Sequence, residues 1–232
     1  MIVDHRSAAA LPVRDVQIGP VAPGASLRSS VRTVCKLEDV ALLFEGDVNV
    51  VIQRTAADPR RTHEAELLVH KPELLLQRAV AADDVRRMLG DHFRDCPHLA
   101  EEVGDRSEIL ADLTGCPTIG VRLARVERGM CPRFHVDQVT VRAVVTFIGY
   151  GTEVIGDPFV DRSHLGHASK GKTDEGSGLL RVGAVIERAE PFDVVWLKGE
   201  SWPGNGGRGA VHRSPSASPS CPRLVLTLDA LG

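Results

Sequence analysis

Five segments in the second half of the chain alternate apolar and polar residues with a period of two. Alternation of this kind is typical of β-strands that bury one face. The 22 glycines and 14 prolines, against 4% aromatic residues, supply the turns that many short strands need. The sequence therefore predicts a β-domain over residues 118–232, with strands within 119–127, 134–151, 179–190, 192–200 and 223–231.

The first half of the chain has a mainly helical pattern. Apolar residues three and four apart predict helices within 37–46, 58–95 and 101–113, and Pro72 should divide the second of these. A strand is predicted at 47–55. Helices followed by strands are typical of α+β proteins, here with the helices packed on one face of a sandwich or barrel.

We expect a single compact unit with three parts. Residues 1–36 include a stretch rich in Ala, Pro, Gly and Ser that lacks a sustained period, which predicts an extended N-terminal arm. A mostly helical part over 37–117 should pack on the β-domain over 118–232. The sequence predicts no oligomeric state.

The charge pattern excludes several classes of partner. The net charge is -3, with 28 basic and 31 acidic residues mixed along the chain, so we expect no nucleic acid partner. The sequence contains no run of about 18 apolar residues and no signal-peptide core, which predicts a cytoplasmic protein without a membrane partner. The five cysteines are widely spread without a C-x-x-C pair, which argues against a disulfide scaffold or zinc ribbon and favours buried thiols.

The strand-like segment 134–151 begins with a His-x-Asp pair. His135 and Asp137 are two residues apart, so in a strand both side chains would leave the same face, about 7 Å apart. His212, far along the chain, could complete the group of two histidines and one carboxylate that binds non-haem Fe(II). The alternative is a buried His-Asp hydrogen bond unrelated to His212.

Arg223 stands at the beginning of the last predicted strand, where its guanidinium could form a bidentate pair with a ligand carboxylate. An ion pair with an acidic neighbour is the alternative role. Arg142 is a rival anchor for a carboxylate, although its odd spacing from Asp137 would point it to the other face of a regular strand. Thr146 and Tyr150 could hydrogen-bond a cosubstrate.

The order His-x-Asp, distal His, then Arg at the start of the next strand resembles the double-stranded β-helix Fe(II)/2-oxoglutarate oxygenases. The resemblance implies a jelly-roll or cupin-like barrel over 118–232, with Fe(II) held by His135, Asp137 and His212. It also implies that Arg223 binds the distal carboxylate of 2-oxoglutarate. The implied activity is a hydroxylase-type dioxygenase acting on an unknown small-molecule or protein substrate.

Two segments, CPRFHVDQVTVRAVVTFIGYGTE and DVVWLKGESWPGNGGRGAVHRSP, are similar to an uncharacterised bacterial family known as domain of unknown function 1826. That family is associated with genes of the zinc-limitation response. This resemblance implies an alternative function, a non-catalytic metal-binding protein linked to zinc homeostasis.

Several other residues have open interpretations. Cys131 and Cys221, near His135 and His212, could form a zinc site of thiolate and imidazole ligands. His164 and His167 could bind a second metal ion or could be solvated histidines of a loop. Trp196 and Trp202 could contact a substrate or could serve packing. The glycine-rich segment 204–209 lacks the features of a phosphate loop and predicts a flexible turn.

Overall fold

The β-strands of the second half pair with strands from the first half to form one large sheet. The computed structural model describes residues 29–128 and 131–231, and within them ten strands form two sheets. In the large sheet the order is β1 (Val31–Val34), β2 (Val50–Gln53), β8 (Val194–Lys198), β5 (Val141–Ile148), β10 (Arg223–Leu231), β4 (Thr118–Val126) and β3 (Leu75–Ala81). The small sheet has the order β7 (Ile186–Arg188), β6 (Glu153–Ile155) and β9 (Val211–Arg213).

The two faces of the large sheet are covered by different layers. Along β10, Leu224, Leu226 and Leu228 belong to the cluster that includes the helices, whereas Val225 belongs to a second cluster with Val154 of the small sheet. Successive residues of a strand point to opposite faces, so an almost continuous apolar run is what a strand buried on both faces requires. We call the face toward the small sheet the inner face.

Three α-helices cover the other face of the large sheet: α1 (Pro59–Val69), α2 (Val85–His92) and α3 (Pro97–Thr114). The Asp58 side chain caps α1 by accepting hydrogen bonds from the backbone N–H groups of Arg60 and Arg61. Gly115, with φ of +69°, ends α3 in the left-handed conformation that glycine adopts without strain. Short 3₁₀ helices lie at Glu38–Phe44, Ala82–Asp84, Asp157–Phe159, Arg162–His164 and Gly166–Ser169. The predicted mixed α+β class is confirmed.

Some expectations about single elements are wrong. The segment around Leu74 and Leu75 was expected in a helix, but the chain turns at Glu73, with φ of 57°, and continues as β3. Pairing of β3 with β4 overrides the local helical spacing. The predicted strand over 134–151 is interrupted, because only an isolated bridge at His135 precedes β5.

The predicted arm falls mostly outside the described residues, which begin at Ser29; Val31–Val34, near its end, is the edge strand β1. All five cysteines are free, as expected without a disulfide scaffold. The expectation of buried thiols is wrong for Cys35, Cys131 and Cys221, which are exposed. Within the described residues, none of the helices has the length and apolarity that crossing a bilayer requires.

Candidate metal centre

His135 and His212 face each other across a single β-bridge. The backbone N–H of each residue donates to the carbonyl oxygen of the other, with both N–O distances 3.0 Å, and the two ring centroids are 4.3 Å apart. Phe134 and Val136 pack into a cluster with Val211 on the outer side of the small sheet. Because the backbone is extended here, the alternate residues His135 and Asp137 point to the inner side.

His135, Asp137 and His212 are brought together by this geometry. Oδ1 of Asp137 lies 3.6 Å from Nε2 of His135, and Oδ2 lies 3.2 Å from Nε2 of His212. One ligand atom from each residue can be chosen so that all lie within 4.8 Å of one another, and in residues 29–128 and 131–231 this is the one such group of three or more potential metal ligands. Two imidazoles and a carboxylate match the donor set of non-haem iron sites.

The backbone fixes which imidazole nitrogens are available. Nδ1 of His135 lies 2.9 Å from the carbonyl oxygen of Arg133, and Nδ1 of His212 lies 3.1 Å from that of Ala210. A carbonyl only accepts, so each Nδ1 carries a proton, and in the neutral ring Nε2 is left with a lone pair. Two nitrogen lone pairs and a carboxylate then face one another, an arrangement that requires a proton or a metal cation between them. The residues therefore fit a metal ion.

The protonation states agree with this fit. Burial raises the pKa of the Asp137 carboxyl, but the hydrogen bond with Nε2 of His212, in which a proton takes the place that a metal cation would hold, and the charge of Arg142 outweigh burial and bring the pKa down to about 2. Burial also lowers the pKa of His135, and the adjacent His212 lowers it further. Near neutral pH Asp137 is anionic and His135 is neutral, which are the states that metal ligands require.

A second carboxylate, Asp229, holds the arginine that orients Asp137. Nε and Nη2 of Arg142 donate to the two carboxylate oxygens of Asp229 at 2.6 and 2.9 Å, while Nη1 donates to Oδ2 of Asp137 at 2.7 Å. Residues 137–140 do not pair in a β-sheet, so side chains do not alternate regularly between Asp137 and Arg142. The prediction that odd spacing points Arg142 to the other face is therefore wrong. Asp229 was not among the candidates from the sequence, although period-two spacing from Arg223 along β10 places it on the same face.

Arg223 is a buried cation on the inner face of β10. Arg223 is 1% exposed. Its Nε donates to the carbonyl oxygen of Tyr150 at 2.7 Å, and its Nη2 donates to Oγ1 of Thr146 at 3.1 Å. Both acceptors are neutral, and no carboxylate of the described residues forms an ion pair with this guanidinium. Burial lowers the pKa of Arg223 to about 10, against a small opposing effect of Glu153. A buried charge of this kind favours an anionic partner.

Thr146 and Tyr150 contribute in different ways. Thr146 is buried with its hydroxyl on Arg223, whereas the Tyr150 side chain is 56% exposed and stacks under the guanidinium of Arg188. Only the backbone oxygen of Tyr150 reaches Arg223.

The other sequence candidates lie apart from this group. Cys131 and Cys221 do not join the metal-ligand cluster. Trp196 is fully buried in the core between sheet and helices, and Trp202 packs against Phe44, which confirms the packing interpretation of both. His164 is half-buried beside Asp161, and the side chain of His167 lies outside the described part.

The glycine-rich segment 204–209 is a turn, as predicted. The backbone N–H groups of Gly207 and Gly209 donate to the carboxylate of Glu200 at 2.6 and 2.9 Å. Because that carboxylate occupies these donors, the segment offers no cradle for a phosphate.

Comparison with protein families gives one match that spans most of the chain. The model of a family described as protein of unknown function (DUF1826) matches residues 35–229. The chain belongs to this family. The sequence resemblance to DUF1826 is thereby confirmed. A comparison with curated proteins finds no match.

Solved structures similar to this DUF1826 protein include several oxygenases. A dioxygenase for auxin oxidation from rice has 15% identity and a TM-score of 0.46, with 84% of this chain and 78% of that chain covered. Dioxygenase for auxin oxidation 1 from Arabidopsis thaliana, in complex with 2-oxoglutarate, has 10% identity and a TM-score of 0.49, with 87% and 92% covered. An oxidoreductase of the 2OG-Fe(II) oxygenase family from Burkholderia pseudomallei has 12% identity and a TM-score of 0.39, with 85% and 93% covered.

Proposed function

We propose that this DUF1826 protein is an Fe(II)/2-oxoglutarate-dependent oxygenase of the hydroxylase type. In this proposal His135, Asp137 and His212 hold Fe(II), and Arg223 binds the distal carboxylate of 2-oxoglutarate. The observation that carries it is the combination of two histidines and an ionised carboxylate, Asp137, with a buried guanidinium that lacks an anionic partner among the described residues. A protein that only stores zinc needs the first feature but has no use for the second.

The strand topology supports a double-stranded β-helix as the finer description of the fold. From β4 onward the chain passes repeatedly between the sheets: β4 is in the large sheet, the His135 bridge pairs with the small sheet, and β5 returns to the large sheet. β6 and β7 then lie in the small sheet, β8 in the large, β9 in the small and β10 in the large. This alternation between two facing sheets is a jelly-roll pattern. We accordingly propose residues 118–232 as the barrel and 37–117 as the part packed on it, in one unit.

The chain's own residues would do three things. The carbonyls of Arg133 and Ala210 keep Nε2 of both imidazoles directed at the site, as outer hydrogen bonds to metal-bound histidines do. Arg142, itself held by Asp229, keeps Asp137 ionised and oriented. Arg223 and Thr146 offer a charge-assisted hydrogen-bonding site for one carboxylate, which orients a dicarboxylate along the inner face. When bound, Fe(II) with 2-oxoglutarate supplies the redox chemistry that activates dioxygen to oxidise a C–H bond.

Anaerobic addition of Fe(II) and 2-oxoglutarate to the purified protein tests the proposal. We expect a visible charge-transfer absorption band that needs both additions, that Asp137→Ala abolishes, and that Cys131→Ser leaves unchanged as the matched control. A protein that retains one equivalent of zinc at the histidines but never forms the band would support the metal-binding alternative and overturn the oxygenase proposal.

A further inference from the structure

A cavity of about 440 Å³ lies on the inner face of the large sheet at the end of β10 that is farther from Arg223. Its lining includes Arg122 and Thr227, which are register partners on β4 and β10, and Gln77, the partner of Arg122 on β3. A cavity of this volume suits a small organic molecule. No residue of the metal-ligand group lines it, so the cavity is a separate feature of the molecule.

Arg142 joins the cavity to the candidate metal centre. The residue lines the cavity, and its Nη1 donates to the Asp137 carboxylate at 2.7 Å. A molecule in the cavity would therefore be separated from the metal-ligand group by one guanidinium. Arg223 lies about 20 Å from Asp229 along β10, from six residues at about 3.3 Å each. A cosubstrate site at Arg223 and a molecule in the cavity would not overlap.

The charge of the cavity wall is positive. Of the described residues that line it, three are arginines, Arg78, Arg122 and Arg142, and one is a carboxylate, Asp229. That carboxylate is already satisfied by two hydrogen bonds from Arg142. Burial lowers the pKa of Arg122, and the charge of Arg142 lowers it further, which is what a concentration of positive charge does. An anion would relieve the repulsion between the two guanidinium groups, and Thr227 and Gln77 add neutral hydrogen-bonding groups beside Arg122.

We propose that this cavity, which we call the Arg122 cavity, binds a small organic anion carrying a carboxylate or phosphate group. This inference rests on the proposed function: the anion is the primary substrate of the oxygenase. Its charged group is held at Arg122, and the rest of the molecule extends toward the metal centre. None of the described residues that line the cavity is aromatic, so charge and hydrogen bonds rather than stacking provide its selectivity.

Titration calorimetry with four probes tests the proposal: phenylacetate and phenyl phosphate as anions, and phenylacetamide and phenol as their neutral counterparts. The full chain is titrated without 2-oxoglutarate, and Arg223→Gln is titrated in parallel, so that binding of a probe at Arg223 is recognised by its loss in that variant. We expect at least one anion to bind about tenfold more tightly than its neutral counterpart, and Arg122→Gln to weaken that binding by about tenfold or more. Thr227→Asp, which adds a negative charge without altering Arg122, should weaken it similarly. Arg87→Gln, at an exposed arginine on α2, is the matched control and should bind normally.

Equal binding of charged and neutral probes, unchanged binding by Arg122→Gln and Thr227→Asp, or no binding of either anion would overturn the proposal. A parallel titration of the same protein with Mn(II) and 2-oxoglutarate separates this inference from the proposed function. Binding of Mn(II) and 2-oxoglutarate at the metal-ligand group without binding of either anion would refute only the proposed anion site in the cavity. Anion binding sensitive to Arg122→Gln without metal binding would support the anion site and refute the oxygenase.

Discussion

Replacing Arg223 by Gln should remove the response to 2-oxoglutarate without unfolding the protein. The guanidinium is buried, and its hydrogen bonds to Tyr150 and Thr146 reach only neutral oxygens. Losing these two bonds from a charged donor costs about 1.5–3 kcal/mol each, while the cost of burying the charge, several kcal/mol, disappears. Because these effects oppose each other, we expect the free energy of unfolding without 2-oxoglutarate to change by less than about 2 kcal/mol.

The effect on 2-oxoglutarate binding should be much larger. A charge-assisted bond to a carboxylate contributes about 1.5–3 kcal/mol, which corresponds to a loss of roughly 10- to 150-fold in affinity. With 2-oxoglutarate at about 100 times its dissociation constant, the wild-type protein gains about 2.7 kcal/mol of stability. A variant that binds about 100-fold more weakly gains only about 0.4 kcal/mol.

The assay is urea unfolding of the Mn(II)-loaded protein, with and without 2-oxoglutarate. Arg87→Gln serves as the control, because it removes an exposed guanidinium that pairs with Asp84 on the protein surface. If Arg223→Gln gains as much stability from 2-oxoglutarate as the wild type does, Arg223 is not the carboxylate anchor. If the variant fails to fold without 2-oxoglutarate, the guanidinium serves the fold rather than a ligand.

Three further predictions concern other parts of the molecule. The double variant Cys131→Ser/Cys221→Ser should keep the wild-type metal stoichiometry by elemental analysis, and loss of the metal would favour a Cys/His zinc site. Burial raises the pKa of Glu153, but hydrogen bonds from two arginines outweigh burial and hold the pKa below its ordinary value. The ionised carboxylate therefore stabilises the fold above about pH 4.5, and this stabilisation is lost as the pH falls through the pKa of the folded state. Glu153→Gln should therefore lower stability by about 1–3 kcal/mol at pH 7 and unfold with a shallower acid dependence; an unchanged acid limb in circular dichroism would contradict this. A Cβ on Gly199 would lie 1.8 Å from the carbonyl oxygen of Val139, so Gly199→Ala should destabilise the protein by about 1–3 kcal/mol in urea unfolding, and a variant as stable as the wild type would refute that packing argument.

The second half of the chain was the more predictable part from sequence. Its strands are rich in apolar residues, and β8 and β10, which are buried on both faces, fall within the predicted segments. The helical spacing around Leu75 gave the wrong element, because β3 is fixed by its pairing with β4, and a single sequence does not display a strand's partner. The farther apart along the chain two contacting residues are, the less the local sequence pattern reveals of their contact.

The grouping of the three candidate residues was predictable from the sequence, but the contacts that support them were not. His135, Asp137 and His212 could be grouped from residue type and order alone. The break in the strand after Asp137 could not be predicted. This break lets Arg142 reach Asp137 despite the odd spacing of the two residues. Asp229 is an ordinary surface residue by type, and its role depends on a cross-strand pairing with Arg142 that no short motif encodes.

A crystal structure of the protein grown anaerobically with Mn(II) and 2-oxoglutarate tests the central claim most directly. We predict an anomalous scattering peak bonded to Nε2 of His135, Nε2 of His212 and a carboxylate oxygen of Asp137. 2-Oxoglutarate should bind this metal at one end and pair with Arg223 through its distal carboxylate. A metal peak at Cys131 or Cys221, or 2-oxoglutarate bound away from Arg223, would contradict the account.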